Sequence, residues 1–161
     1  MESPKMEIFS YTLCRRLDRK NYAALFDFAA AKGAYALLVI REGEELSSYG
    51  KNLIEKLAPF LISQDLVSEW PGTLLFDHKA LSLKYEITCA CAEILKAASP
   101  GLYHWLAPRL PEDLCFLRQD GSPWFVSIAH EKDSYFSLDT REYDLLLKSL
   151  PGFGQLLSRD D

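Results

Sequence analysis

No run of hydrophobic residues in this chain approaches the roughly 18 that a membrane-spanning helix needs, so nothing in it is expected to cross a bilayer. Positive charge is also in deficit: 18 Lys and Arg face 23 Asp and Glu, for a formal net charge of −5. Proteins that neutralise phosphates concentrate Lys and Arg on one face, so neither nucleic acid nor an anionic membrane is an expected partner. The one basic cluster, Arg15, Arg16, Arg19 and Lys20, has no aromatic residues interleaved to stack bases. It reads as a solvated corner between a strand and a helix. No charged, apolar and small-residue succession of the secretory kind opens the chain, which leaves the cytoplasm as the expected compartment.

Cysteine is sparse and scattered. Cys89-Ala-Cys91 is a C-x-C rather than the C-x₂-C of common zinc sites, and Cys14 and Cys115 stand apart from it. All four have apolar neighbours and are expected to be buried, reduced thiols, with no metal and no disulfide. Phosphate-cradling motifs are missing too: the eight glycines form neither G-x-G-x-x-G nor a Walker loop and are spaced as turn punctuation. No cofactor is implied. His130-Glu131 begins an H-E-x-x-H zinc motif, but Ser134 occupies the place of the second histidine. G-x-S-x-G, which would hold a serine on a strained elbow, does not occur.

What is present is a globular composition. With 161 residues, 48% hydrophobic and 12% aromatic, the chain matches one domain with a sizeable core, spanning 1–161 and frayed at Met1–Lys5 and Ser158–Asp161. Alternation over Glu7–Leu13 predicts a strand. Asp18 offers an N-cap to a helix carrying Tyr22, Leu25, Phe26 and Ala29 and ending at Gly33. Tyr35–Ile40, almost wholly apolar, predicts an interior strand covered on both faces. Leu53, Ile54, Leu57, Phe60 and Leu61 form a second helical stripe, capped by Ser47 or Ser48 and interrupted by Pro59. Glu69–Thr73 reads as a turn or loop, Leu81–Ile87 as a strand and Cys89–Ala98 as a helix. Leu114–Arg118, Trp124–Ala129 and Tyr135–Leu138 read as a meander, followed by a helix capped by Asp139 or Thr140 and closed by Pro151-Gly152. The expected fold is α+β, a mixed sheet of about five to six strands with a C-terminal antiparallel meander and helices packed on it.

The chemically capable side chains gather around Leu110–Glu131, where Asp120-Gly121 is a turn signal between two strand-like runs. A nucleophile needs a base within reach, and Ser127 or Cys115 could meet His130 across this hairpin, with Glu131 beside it. On a regular strand, however, Ser127 and His130 point to opposite faces. Glu112 and Asp113 read as a solvated acidic corner or as partners of Arg109 or Arg118. His78, beside Asp77, and His104 lie in separate segments and read as surface or core histidines. Acidic and aromatic residues interleave near the end of the chain, and acidic charge steers basic partners while Tyr and Trp supply contact area. The expected binding set is Arg118, Asp120, Trp124, Asp133, Tyr135, Asp139, Glu142 and Asp144.

Leu110-Pro111-Glu112-Asp113-Leu114, Phe116, Arg118, Asp120-Gly121 and Ser127–Glu131, together with Trp70-Pro71-Gly72-Thr73, resemble the C-terminal half of a group of small, uncharacterised bacterial proteins. That resemblance implies no activity, cofactor or catalytic residue. In size, acidity and lack of catalytic motifs the chain is also similar to the immunity proteins that neutralise toxins by binding them. The reading is therefore a non-catalytic protein-binding module of immunity or adaptor type, with a basic protein as the partner. The alternatives are a small hydrolase using His130, Glu131 and Ser127, and a homodimer that buries its apolar surplus between subunits.

Overall fold

The computed structural model of the chain describes residues 5–161, so Met1–Pro4, part of the terminus expected to fray, lie outside the described residues. Its elements run β1 (Phe9–Leu13), α1 (Arg19–Ala31), β2 (Tyr35–Arg41), α2 (Ser48–Leu57), β3 (Leu61–Val67), β4 (Glu69–Trp70), β5 (Thr73–Leu74), β6 (Ala80–Glu86), α3 (Cys89–Ala98), β7 (Glu112–Leu117), β8 (Pro123–Ile128), β9 (Asp133–Leu138), α4 (Thr140–Ser149) and β10 (Leu157–Arg159). This is α+β, but the sheet differs from expectation. It has eight strands in the order β10-β1-β9-β8-β7-β2-β6-β3, and every neighbouring pair is antiparallel. The expected mixed sheet of about five to six strands is thus larger and wholly antiparallel, and β9, β8 and β7 lie between β1 and β2.

Local chemistry sets the helix boundaries. Asp18 accepts the Asn21 amide at 2.8 Å, Thr88 accepts that of Cys91 at 3.1 Å, and Asp139 with Glu142 forms a reciprocal capping box. Ser47 sits at the N-cap of α2 without a side-chain cap bond. At Pro59 the chain leaves α2 through a 3₁₀ turn, Ala58–Phe60, as proline's missing N–H requires. Leu61, read as the end of the helical stripe, instead opens β3.

Two apolar layers flank the sheet. On one face Leu25, Phe26, Leu38, Leu57, Tyr85 and Phe116 are fully or almost fully buried, together with the inner sides of α1, α2 and α3. On the other face Leu37, Val39, Cys115, Leu117 and Val126 form a smaller cluster beneath Trp70. Leu37 and Val39 alternate with Ala36 and Leu38, so β2 is buried on both faces, as its continuous apolar run demands.

The turn expected within Glu69–Thr73 falls at Pro71-Gly72 and closes a tight hairpin, β4 against β5. Two further expectations need correction. Cys14 and Cys89 are exposed, and only Cys91 and Cys115 are buried thiols. The C-terminal residues expected to fray form β10 against β1, and both Ser10 Oγ and Thr12 Oγ donate to the Asp160 carboxylate at 2.8 Å.

Candidate functional site

The C-terminal hairpin forms as its turn signal predicts. β7 and β8 pair antiparallel, Gly121 takes φ +88, and Asp120 Oδ1 accepts the Ser122 amide and hydroxyl at 2.9 and 2.6 Å. Those hydroxyl and amide bonds, helped by the Arg118 charge, hold the Asp120 carboxyl below its ordinary pKa. Arg118 is a cross-brace. Its guanidinium donates to both Glu142 oxygens at 2.8 and 2.7 Å, to the Pro123 and Ser137 carbonyls at 2.8 and 2.6 Å, and to Ser122 Oγ at 3.3 Å. One side chain thereby ties the β7–β8 turn to β9 and α4. Burial alone would raise the Glu142 pKa, but the Arg118 and Asp139 hydrogen bonds and the Arg118 and Lys32 charges outweigh it and hold the carboxyl low.

The acidic and aromatic residues expected as a binding set do not assemble into one surface. Trp124 is in the core, 1% exposed, stacked on Phe116 and Phe136 at 5.4 and 5.9 Å, and its indole N–H meets no acceptor among the described residues. Asp139 and Glu142 are committed to the helix cap, and Glu142 also to Arg118. Tyr135 is half-buried against the second-face cluster. Asp120, Asp133 and Asp144 remain exposed.

The hydrolase residues are separated by burial. His130 and Glu131 lie not on a strand but on an exposed 3₁₀ turn, Ala129–Glu131. Ser127 is 0% exposed and donates its hydroxyl to the Leu114 carbonyl at 2.7 Å. Cys115 is equally buried, its thiol bonded to the Asp113 carbonyl at 3.2 Å and pushed up to about 12 by burial. A thiol in that state yields almost no thiolate at neutral pH.

The second face holds the cluster that sequence reading did not find. Glu112 and Asp113 are 3% and 0% exposed, far from the solvated corner expected of them. Glu112 pairs with Arg41 at 2.8 Å rather than with Arg109 or Arg118, and the Arg41 guanidinium stacks 5.2 Å from the Trp70 ring. Asp113, at φ +54, accepts the Trp70 indole N–H and the Ala129 amide, each at 3.0 Å. Both carboxylate oxygens are therefore engaged, as a buried charge requires. At the hairpin tip Gly72 has φ +86, and a β-carbon there would lie 2.8 Å from Ile128 Cγ1. No larger residue fits that approach without a shift.

Comparison with known proteins assigns nothing here. No family model, no curated protein and no solved structure matches the chain.

The anchored hairpin carries unusual surface. Leu75 packs inward against the second-face cluster, while Leu74 and Phe76 on either side of it are 56% and 77% exposed. The Glu42 amide donates to the Lys79 carbonyl at 2.9 Å, joining the turn after β2 to the loop that bears Phe76. Glu42, Glu44, Glu45 and Asp77 are exposed in these two loops, Glu45 paired with Lys51 at 3.0 Å, and a cleft of about 230 Å³ is lined by Arg41, Glu42, Glu44, Leu75, His78 and Lys79. Burial raises the Glu44 pKa, and the neighbouring Glu112 carboxyl adds to the effect. Among the described residues no helix is long and apolar enough to cross a membrane.

Proposed function

We propose that the protein is a non-catalytic protein-binding module whose contact surface is the β4–β5 hairpin and the adjoining loop, with Leu74 and Phe76 as apolar anchors. The observation that carries this is their exposure on a segment locked from beneath by the Trp70–Asp113 bond and by Gly72. Large apolar side chains held rigidly outward lose little freedom on binding, which favours them as interface anchors. The exposed carboxylates of Glu42, Glu44 and Asp77 near them favour a basic partner, through steering and exclusion of acidic surfaces. Small size, net acidity and the burial of Ser127 and Cys115 support a role of the immunity or adaptor kind.

A photo-crosslinking amino acid at position 76, in cells that make the protein natively, tests the reading. One discrete crosslinked protein, basic in composition, is expected at position 76 and not at Lys148 on the exposed side of α4. The same pattern from both positions, or no crosslink at 76, would overturn it.

A further inference from the structure

The sheet ends differently on its two sides. β10 offers only three residues of edge. β3 offers seven, contains neither proline nor lysine, and pairs with β6 on its inner side and with no described residue on its outer side. Leu61, Ile62 and Leu66 on it are 39%, 49% and 68% exposed. Free backbone donors and acceptors beside apolar side chains make a template for another strand, which proteins ordinarily block with proline, lysine or bulges. β3 has a bulge at one end, between Leu61 and Ser63, and one acidic residue, Asp65.

We propose that β3 pairs antiparallel with β3 of a second copy of this chain, about a two-fold axis through Gln64 that joins both sheets into one. In such an isologous contact each residue pairs with its mirror position about the axis, and directly opposed side chains share a face. Centring on Gln64 sets Ser63 opposite Asp65, donor against acceptor, and brings Ile62, at the bulge, against Leu66. The adjacent registers fail this test. Centring on Asp65 opposes two carboxylates and sets Gln64 against Leu66, while centring on Ser63 sets Ile62 against Gln64 and Leu61 against Asp65.

The sheet itself supports this pairing. Gln64 and Leu66 lie opposite Leu83 and Leu81 of β6, which belong to or pack on the helix-side apolar layer, so Leu66 extends that layer outward toward the second copy. Ser63 lies opposite Lys84, which places a cation on the same face as the incoming Asp65. Ser63–Val67 is regular against β6, and the bulge places Ile62 at each end of the contact.

Sedimentation equilibrium over a wide loading range tests the proposal, with the wild-type mass expected at twice that of one chain. Leu66→Lys, at a position already exposed, is expected to shift the population to monomer while its circular dichroism stays that of the wild type and its melting temperature loses any dependence on protein concentration. In a Cys14→Ser, Cys89→Ser background, mild oxidation is expected to link Gln64→Cys into a covalent dimer and to leave Asp65→Cys unlinked. A wild-type monomer at every loading, a dimer that survives Leu66→Lys, or linkage at Asp65→Cys in place of Gln64→Cys would each overturn it. Should Leu66→Lys not fold, the cysteine pair decides. Failure here leaves crosslinking from Phe76 unaffected, because that residue lies outside the paired strand.

Discussion

Replacing Arg118 with methionine keeps the aliphatic stem and removes all five hydrogen bonds of the guanidinium, two of them to the Glu142 carboxylate. Hydrogen bonds to charged partners contribute about 1.5–3 kcal/mol each, but the sum overstates the loss. Arg118 and Glu142 side chains are 20% and 17% exposed, so water re-solvates part of what the variant orphans. A net destabilisation of about 2–4 kcal/mol follows at neutral pH. Arg118→Lys, which keeps the charge but loses the planar fork, should fall between the variant and the wild type.

The assay is urea unfolding followed by tryptophan fluorescence, repeated down a pH series. Glu142 is held below its ordinary value in the folded protein. A depressed carboxyl stabilises the fold above its unfolded pKa, about 4.3 for glutamate, and that stabilisation is lost as pH falls through the lower folded value. Methionine at 118 removes much of the depression, so the gap between wild type and variant should narrow as the pH drops below that of free glutamate. A gap under about 0.5 kcal/mol at neutral pH, or one that does not change on acidification, would refute the cross-brace.

Two further outcomes test the second face. Trp70→Phe should cost about 1–3 kcal/mol in urea unfolding, because it keeps an aromatic ring under Arg41 but leaves one oxygen of a fully buried carboxylate without its donor; an unchanged midpoint would mean that Asp113 does not anchor the hairpin. Gly72→Ala should cost more than Gly43→Ala, since both have positive φ but only the first meets a neighbour, Ile128, within 3 Å. Backbone strain of about 1–2 kcal/mol is common to both, so equal melting temperatures for the pair would rule out the close approach.

Local signals in the sequence located most elements. The Asp120-Gly121 turn, the Asp18 and Asp139 caps and the continuous apolar run of β2 each depend on chemistry within a few residues, and each appears where that chemistry requires. β3 left no such signal. As an edge strand it exposes side chains on both faces, so Leu61–Val67 lacks the alternation of a half-buried strand, and Phe60-Leu61 continued the period of the preceding helix. β10 is three residues long and draws its stability from Asp160 and β1 rather than from its own composition. Arg118 was correctly placed near the hairpin, but its partner Glu142, 24 positions on, follows only from the register of β9 and α4. Arg41 and Glu112, 71 positions apart, meet because β2 and β7 are neighbours in a sheet whose order the sequence does not encode locally.

The distribution of charge bears on function through what it leaves free. A buried carboxylate serves acid–base chemistry when a proton can reach it and its environment leaves part of its bonding capacity open. Both oxygens of Asp113 are taken by fixed N–H donors, and Glu112 is held by Arg41 against the Trp70 ring. These bonds tie Trp70 to β7 and to the turn after β8. Leu74 and Phe76 stay exposed on either side of Leu75, which packs into the second-face cluster. A hairpin that existed only to cover the second face would need Trp70 and Leu75 inward and would gain nothing from phenylalanine at 77% exposure, a side chain that water disfavours. In the proposed reading that exposed ring is the surface a partner covers.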